Sequence, residues 1–258
     1  MNSLAILSGF AVGLIVGLTG VGGGSLMTPL LMGVFRLSPA VAIGTDLWFA
    51  ALTKLGGGVA HHRHGHVDRG ITGRLLWGSL PAAALTIGAL ALLKQQAPSL
   101  DIGSALRPAL GVALLLTALA VAWRSRLQAL GQRLAPHLPA PRRARMTVLA
   151  GAVLGVLVTL SSVGAGALGA TVLMLLYPQL HTRQVVGTDI AHAVPLTLLA
   201  GIGHAWLGHV EWALLGALLI GSLPGIWLGA RLTRSLPEGW IRTLLCVSLL
   251  GAGVKVLT

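Results

Sequence analysis

Residues 4–35 contain no charged side chain. As one straight helix they would reach roughly 48 Å, well beyond a hydrocarbon core of ~30 Å. In their midst lies Gly20-Val21-Gly22-Gly23-Gly24-Ser25. Glycine holds a helix poorly and lets other groups approach the backbone closely. The stretch therefore reads as a hairpin of two short helices. A second apolar stretch, about 146–178, is broken in the same way at Ser161-Ser162-Val163-Gly164-Ala165-Gly166. Within a bilayer, broken backbone is tolerated only where protein buries it or where it lines a wet cavity. A matched pair of Gly-interrupted apolar segments is a pointer to a transporter's binding site.

Only 9% of the residues are charged and 55% are hydrophobic, whereas soluble chains carry roughly 25% charged residues. A soluble helical domain is excluded on that ground. The net charge of +12 is no nucleic-acid signature, because the arginines sit between apolar segments, where they set topology. Cys246 is the single cysteine, so no intrachain disulfide forms, and it reads as a buried structural thiol. Met1-Asn2-Ser3-Leu4 lacks a basic n-region, and the N-terminus is expected to belong to the fold.

Further along, Ser38-Pro39 reads as an N-cap and first helical position, opening a helix to about His61. A polar loop, His62 to Arg69, leads to an apolar run at about 71–93. Another helix is expected over about 105–123. Pro81 and Pro224 fall inside apolar runs, where they kink helices. Arg124 to Arg145 holds six arginines and Pro136, Pro139 and Pro141, and reads as a cytoplasmic linker between two halves.

The halves repeat. With Gly44-Thr45-Asp46 placed over Gly187-Thr188-Asp189, His61 falls on His204, Gly65-His66-Val67-Asp68 on Gly208-His209-Val210-Glu211, and Gly78-Ser79-Leu80-Pro81 on Gly221-Ser222-Leu223-Pro224. Across 44–81 and 187–224, 17 of 38 positions are identical. A period this long means two domain-sized units. With hairpins and a cytoplasmic linker, 13 of the 18 Lys and Arg residues lie inside, four outside and Lys54 within the membrane. The positive-inside rule thus favours inverted halves with both termini outside. Trp123, Trp206, Trp212 and Trp240 fall near segment ends, as interfacial tryptophans do.

Helices restarting after Gly24 and Gly166 present unpaired amides and a positive dipole end, which together suit an anion. Ser25, Ser161 and Ser162 can add hydroxyl donors. The plainer reading is close helix packing through small residues. Asp46 lies about two turns into its helix, and Asp189 matches it. Carboxylates at such depth are functional-site candidates, although either could instead cap a helix near the interface. Lys54 is eight residues beyond Asp46, on the same helical face, and reads as an anion ligand or as a snorkelling side chain. His192 lies one turn after Asp189. His61 and His204 recur at helix ends and can carry a coupled proton or serve packing. His61-His62-Arg63-His64-Gly65-His66 looks like a metal tract but has no cysteine and no acidic partner except Asp68. A phosphate-binding Gly-x-x-x-x-Gly-Lys-Ser/Thr loop is absent.

The Gly-x-Gly-Gly-Gly-x-x-x-x-Pro-x-Leu run from Gly20 to Leu31, both Gly-Thr-Asp motifs, the Lys54 to Gly58 run, His61 and Val67-Asp68 together resemble the sulfite exporter TauE/SafE family. The resemblance covers essentially the whole chain. It departs at Ala165, which stands where the first half has Gly23, and at Thr171, which stands where it has Pro29. It implies a multi-pass permease of the bacterial inner membrane with a duplicated core, associated with small sulfur anions such as sulfite, thiosulfate or sulfoacetate.

The expected fold is an all-α polytopic membrane protein with two homologous, inverted repeats and about eight to ten membrane segments: a first repeat at 1–123, a basic linker at 124–145 and a second repeat at 146–258. The expected function is alternating-access transport of a small sulfur oxyanion or sulfonate, with possible proton coupling. Gly22, Gly23, Gly24, Ser25, Lys54, Ser161, Ser162, Gly164 and Gly166 would hold the anion. Asp46, Asp189, His61 and His204 would carry any coupled proton. The partners are the anion and the lipid bilayer, with no nucleic acid; homo-oligomers are compatible with the sequence. Neither a cofactor nor a bound metal is expected. Two alternatives remain: a metal-cation transporter using the His61–His66 tract with the intramembrane aspartates, and a membrane-embedded enzyme, for which no nucleophile motif is visible.

Overall fold

A computed structural model describes residues 2–19, 24–97, 101–232 and 238–257, and among them every regular element is helical. The helices are α1 (Asn2–Thr19), α2 (Gly24–Gly33), α3 (Pro39–Arg63), α4 (Arg69–Gln96), α5 (Ile102–Ala122), α6 (Arg124–Leu134), α7 (Ala140–Ser161), α8 (Ala167–Leu176), α9 (Thr182–Trp206), α10 (Trp212–Leu232) and α11 (Glu238–Leu257). Five of them, α4, α5, α7, α9 and α10, are long and apolar enough to cross a membrane, and shorter apolar helices lie at 3–18, 167–176 and 245–257. The large apolar side chains left exposed, Trp77, Leu85, Leu149 and Ile220 among them, suit a lipid surround. The chain is an all-α polytopic membrane protein.

The second apolar stretch divides into two helices, and in the first, α1 and α2 flank residues 20–23, which lie outside the described residues. The expectation of two short arms fails in the second stretch alone, since α1 is apolar over 3–18 and α2 has 10 residues. α8 has 10 residues, but α7 has 22 and runs long enough to cross by itself. The basic segment is also more ordered than a loop. α6 covers Arg124–Leu134, a 3-10 turn follows at Ala135–His137, and Pro141 lies in the first turn of α7. Proline in a first turn has no intrahelical acceptor to miss, so it starts this helix rather than breaking it. α6 lies directly on α8, where a Cβ at Gly131 would sit 2.5 Å from the Met174 carbonyl. Arg143 donates to the Ala135 carbonyl at 2.6 Å and fixes the turn.

The two helix-forming stretches do not pack as separate bodies. α1 pairs with α10, and α7 pairs with α4. Gly9, Gly13 and Gly17 face the backbone of α10, while Gly221, Gly225 and Gly229 face the backbone of α1; a Cβ at any of the six would meet main-chain atoms at 1.9–2.4 Å. Gly78, Gly151 and Gly155 join α4 to α7 in the same manner. Lipid tails are as apolar as leucine, so helices in a bilayer associate through close packing, and small residues permit it. α3 and α9 cross at the centre, where the Trp48 indole N–H donates to the Gly201 carbonyl at 2.9 Å.

Capping sets the remaining ends. The Asp68 carboxylate accepts from the Ile71 amide at α4, and the Asp101 carboxylate accepts from the Gly103 and Ser104 amides at α5. Trp123 closes α5, Trp206 ends α9 and Trp212 opens α10, each with substantial exposure. The Trp240 side chain lies outside the described residues.

Candidate functional site

The break between α7 and α8 shows why this sequence needs its small residues. Ser162 has φ 58°, Gly164 109° and Gly166 140°. Such values suit glycine, which has no Cβ to clash. The Ser161 hydroxyl donates to the Leu157 carbonyl at 2.6 Å and accepts from the Val163 amide at 3.1 Å. It thus holds the break together rather than standing free. Among the described residues, the amides of Gly166, Ala167 and Leu168 find no acceptor outside the start of α8, whose first cross-break bond is Gly169 N–H to the Gly164 carbonyl at 3.2 Å. Gly22 and Gly23 lie outside the described residues. Gly24 begins α2, and the Ser25 side chain is likewise outside what is described.

Against this break come the charged groups of the two central helices. Lys54 of α3 is buried and donates from Nζ to the Ala165 carbonyl inside the break. Asp46, two turns earlier, accepts from the Thr28 hydroxyl of α2, and Ser162 approaches the same carboxyl without closing a hydrogen bond to it. Asp46 is seven residues past Pro39, so it is no helix cap. Asp189 of α9 presses on α8, where a Cβ at Gly169 would sit 1.9 Å from its Oδ1. Asp46 and Asp189 are buried, as Lys54 is. Neither closes an ion pair or hydrogen bond with it.

Four buried polar atoms in this region lack a partner among the described residues: Asp46 Oδ1, Ser162 Oγ, Asp189 Oδ1 and His192 Nδ1. Buried polar groups in folded proteins are nearly always paired. These four exceptions share one region with the charges of Asp46, Lys54 and Asp189, while His61 Nδ1, His204 Nδ1, His209 Nδ1 and Arg143 Nε lack partners elsewhere among the described residues.

The histidines take other positions. The buried His204 donates from Nε2 to the Thr159 carbonyl at 2.9 Å and lies against the His209 ring, centroids 5.6 Å apart. His61 lies against His66 at 5.5 Å, and His66 stacks on His64 at 5.8 Å. Neither His61 nor His204 touches Asp46, Lys54 or Asp189. Among the described residues no three metal-capable side chains converge. In the tract from His61 to His66 these ring contacts are accompanied by His62 Nε2, which lies 3.4 Å from the Arg69 guanidinium. His209, in the loop after α9, has its imidazole held below the usual range by burial and then by the nearby Lys94 ammonium.

Sequence reasoning missed Thr28, the Ala165 carbonyl and the job of the residues beside each aspartate. Gly44 and Gly187 allow the carbonyls of His209 and His66 to come within 1.9 and 2.6 Å of a would-be Cβ. The Thr45 hydroxyl accepts from the Glu211 amide at 2.9 Å, and the Thr188 hydroxyl accepts from the Asp68 amide at 3.0 Å. Each Gly-Thr-Asp therefore clasps the loop of the other stretch through Gly and Thr and turns Asp to the centre. The signal was present: Gly-Thr-Asp and Gly-His-Val-Asp/Glu recur at one common offset.

The family model for sulfite exporter TauE/SafE matches residues 5–256. The chain belongs to that family. Within it, the probable membrane transporter protein YjnA of Bacillus subtilis (strain 168) is 39% identical over 230 residues, covering 88% of each chain. A second protein of that strain, the probable membrane transporter protein YdhB, is 29% identical over 222 residues, covering 86% of each. A third, YunE, also named a probable membrane transporter protein, is 42% identical over 66 residues, 26% of this chain and 24% of that one. No solved structure matches. The family model runs through the α7–α8 break and both Gly-Thr-Asp motifs, so the site described above lies wholly within the TauE/SafE region.

Proposed function

We propose that this TauE/SafE protein is a transporter that carries a small sulfur oxyanion or sulfonate, such as sulfite, thiosulfate or sulfoacetate, across the bacterial inner membrane together with a proton. The observation that carries the reading is the placement of Lys54 inside the α7–α8 break, beside the open amides that begin α8. An ammonium and a helix start both favour negative charge. Moving the Lys54 head from the Ala165 carbonyl to an incoming anion exchanges one acceptor for another. Gly22, Gly23, Gly24 and Ser25 would supply the matching half of the cradle, with Ser162, Gly164 and Gly166 on the α7–α8 side.

Asp46, Asp189 and Lys54 together carry a net charge of −1 when all are ionised. Buried charge is expensive unless paired. A singly charged anion such as hydrogen sulfite that arrives with one proton leaves that buried charge unchanged, and a doubly charged one such as thiosulfate needs two, which is the physical case for coupling. His61 and His204 are second candidates for relaying the proton. The clasps between Thr45 and the Glu211 amide, and between Thr188 and the Asp68 amide, would be made and released as two inverted halves rock about the site. The relatives named as probable membrane transporters support the class, and the family's name supports sulfite as the first substrate to try.

The test is uptake into proteoliposomes of sulfite, thiosulfate, sulfoacetate, sulfate and chloride, each with and without an imposed pH gradient. Uptake of one sulfur anion, enhanced by the gradient and lost in Lys54→Ala, is the expected result. Folded, inserted protein that moves none of the sulfur anions would overturn the proposal.

A further inference from the structure

We propose that His192 is a further ligand of the transported anion, donating from Nδ1; the inference rests on the anion reading above and deepens it. His192 lies on α9 one turn beyond Asp189 and is almost wholly buried, 1% exposed. Its Nε2 is 2.9 Å from the Ser79 hydroxyl of α4, and its Nδ1 has no partner among the described residues. That hydroxyl finds no acceptor other than the imidazole. A buried hydroxyl donates where it can, so Ser79 gives its proton to Nε2 and the neutral ring carries its own on Nδ1. The result is an N–H donor, out of water, with nothing to receive it.

Its neighbours give that donor a use. Asp189 lies one turn before His192 on α9, and Lys54 belongs to α3, the helix packed against α9. α4 offers only Ser79. A free N–H one turn from Asp189, on the helix that packs against the helix of Lys54, is a donor for an oxygen of a small anion held at this site. Packing does not require this ring to be polar. The matching position on α3 is Phe49, which is buried among apolar side chains. Ser222, which matches Ser79, turns back to the Leu219 carbonyl of its own helix at 3.3 Å. The polar pair exists on one side only, so the anion is gripped asymmetrically.

The test compares wild type, His192→Phe, His192→Asn and Ser79→Ala in proteoliposomes, with whichever of sulfite, thiosulfate and sulfoacetate the wild type takes up fastest. Phenylalanine keeps the ring volume and is what the matching position carries. Asparagine places an amide N–H near the position of Nδ1. We expect His192→Phe to raise KM by at least about tenfold, the loss attending one hydrogen bond to a charged group. The maximal rate and thermal unfolding midpoint should stay near wild type. His192→Asn should recover most of the affinity. Ser79→Ala, which only orients the ring, should raise KM less than His192→Phe does. An unchanged KM in His192→Phe overturns the proposal, as does a KM equally raised in His192→Asn, or a loss confined to maximal rate or stability. A wild type that carries none of the three anions fails the anion reading itself, and the His192 assignment falls with it. Wild-type uptake with an indifferent His192→Phe fails His192 alone.

Discussion

Asp46 and Asp189 stand at matching places on α3 and α9, yet they are held in different ways. Asp46 accepts a hydroxyl from Thr28 on the short helix beside it. Asp189 has a bare glycine, Gly169, where that short helix passes, and no hydrogen bond among the described residues. By the alignment of the two breaks, Thr28 matches Ala170 and Gly169 matches Met27. Lys54 adds to the imbalance, because its own counterpart is Thr197, whose hydroxyl turns back to the Ala193 carbonyl at 2.8 Å. A duplicated sequence thus supplies two similar frames, and a few substitutions give one carboxylate a fixed partner and leave the other open. A carboxylate with no donor is the better proton carrier, because proton loss or gain breaks no existing bond.

The strongest challenge to that contrast is removal of the charge both carboxylates share. Lys54→Ala should abolish anion uptake, by about a hundredfold or more, since breaking a buried charge group leaves its partners uncompensated. Uptake measured in sealed vesicles at matched insertion checks this. Next, Asp189→Asn should remove the response to a pH gradient, whereas Asp46→Asn should retain a measurable one. Equal loss in both variants would erase the distinction. Thr28→Val should then make Asp46 resemble Asp189, at an expense of about 1–3 kcal/mol of stability for the buried acceptor left bare, seen as a lower unfolding midpoint. Gly164→Ala and Gly166→Ala should each destabilise by about 1–3 kcal/mol through forbidden backbone geometry, while Gly33→Ala, with open space around it, should not.

The smallest effect concerns the loop after α9. Burial, then Lys94, holds the His209 imidazole below its usual range, so the unfolded chain binds a proton that the folded one refuses. Stability from this group is complete above the ordinary histidine range near 6.5 and declines as pH falls through it toward the depressed folded value. His209→Gln should flatten the loss of thermal stability between pH 7.5 and 5.5, measured against wild type.

Much of this was legible in one dimension. Low charge and long apolar runs dictated membrane helices, because no soluble fold accommodates them. Gly164 and Gly166 announced the break between α7 and α8, since helices hold such residues poorly. The shared offset of Gly-Thr-Asp, His-Val and Gly-Ser-Leu-Pro exposed the duplication, and the isolation of Asp46, Lys54 and Asp189 in apolar surroundings singled them out. The arginines at 124–145 suggested a linker without showing its helix, because only the packing of Gly131 on α8, with Arg126 and Arg133 exposed, reveals α6. His61 and His204 recur so faithfully that they invited a functional role, yet their rings meet His66, His209 and a backbone carbonyl.

What the sequence determined by itself is local: which segments are apolar enough to leave water, where the backbone must break, and which ionisable groups have no local partner. These follow from side-chain chemistry and spacing along the chain. The tertiary structure alone decided that α1 belongs to α10 and α7 to α4, that Lys54 reaches across into the α7–α8 break, and that Thr28 occupies one aspartate while Gly169 leaves the other bare. Those outcomes depend on which glycine faces which backbone across the helix interfaces, and helix pairing in a bilayer is governed by close contact between surfaces far apart in sequence.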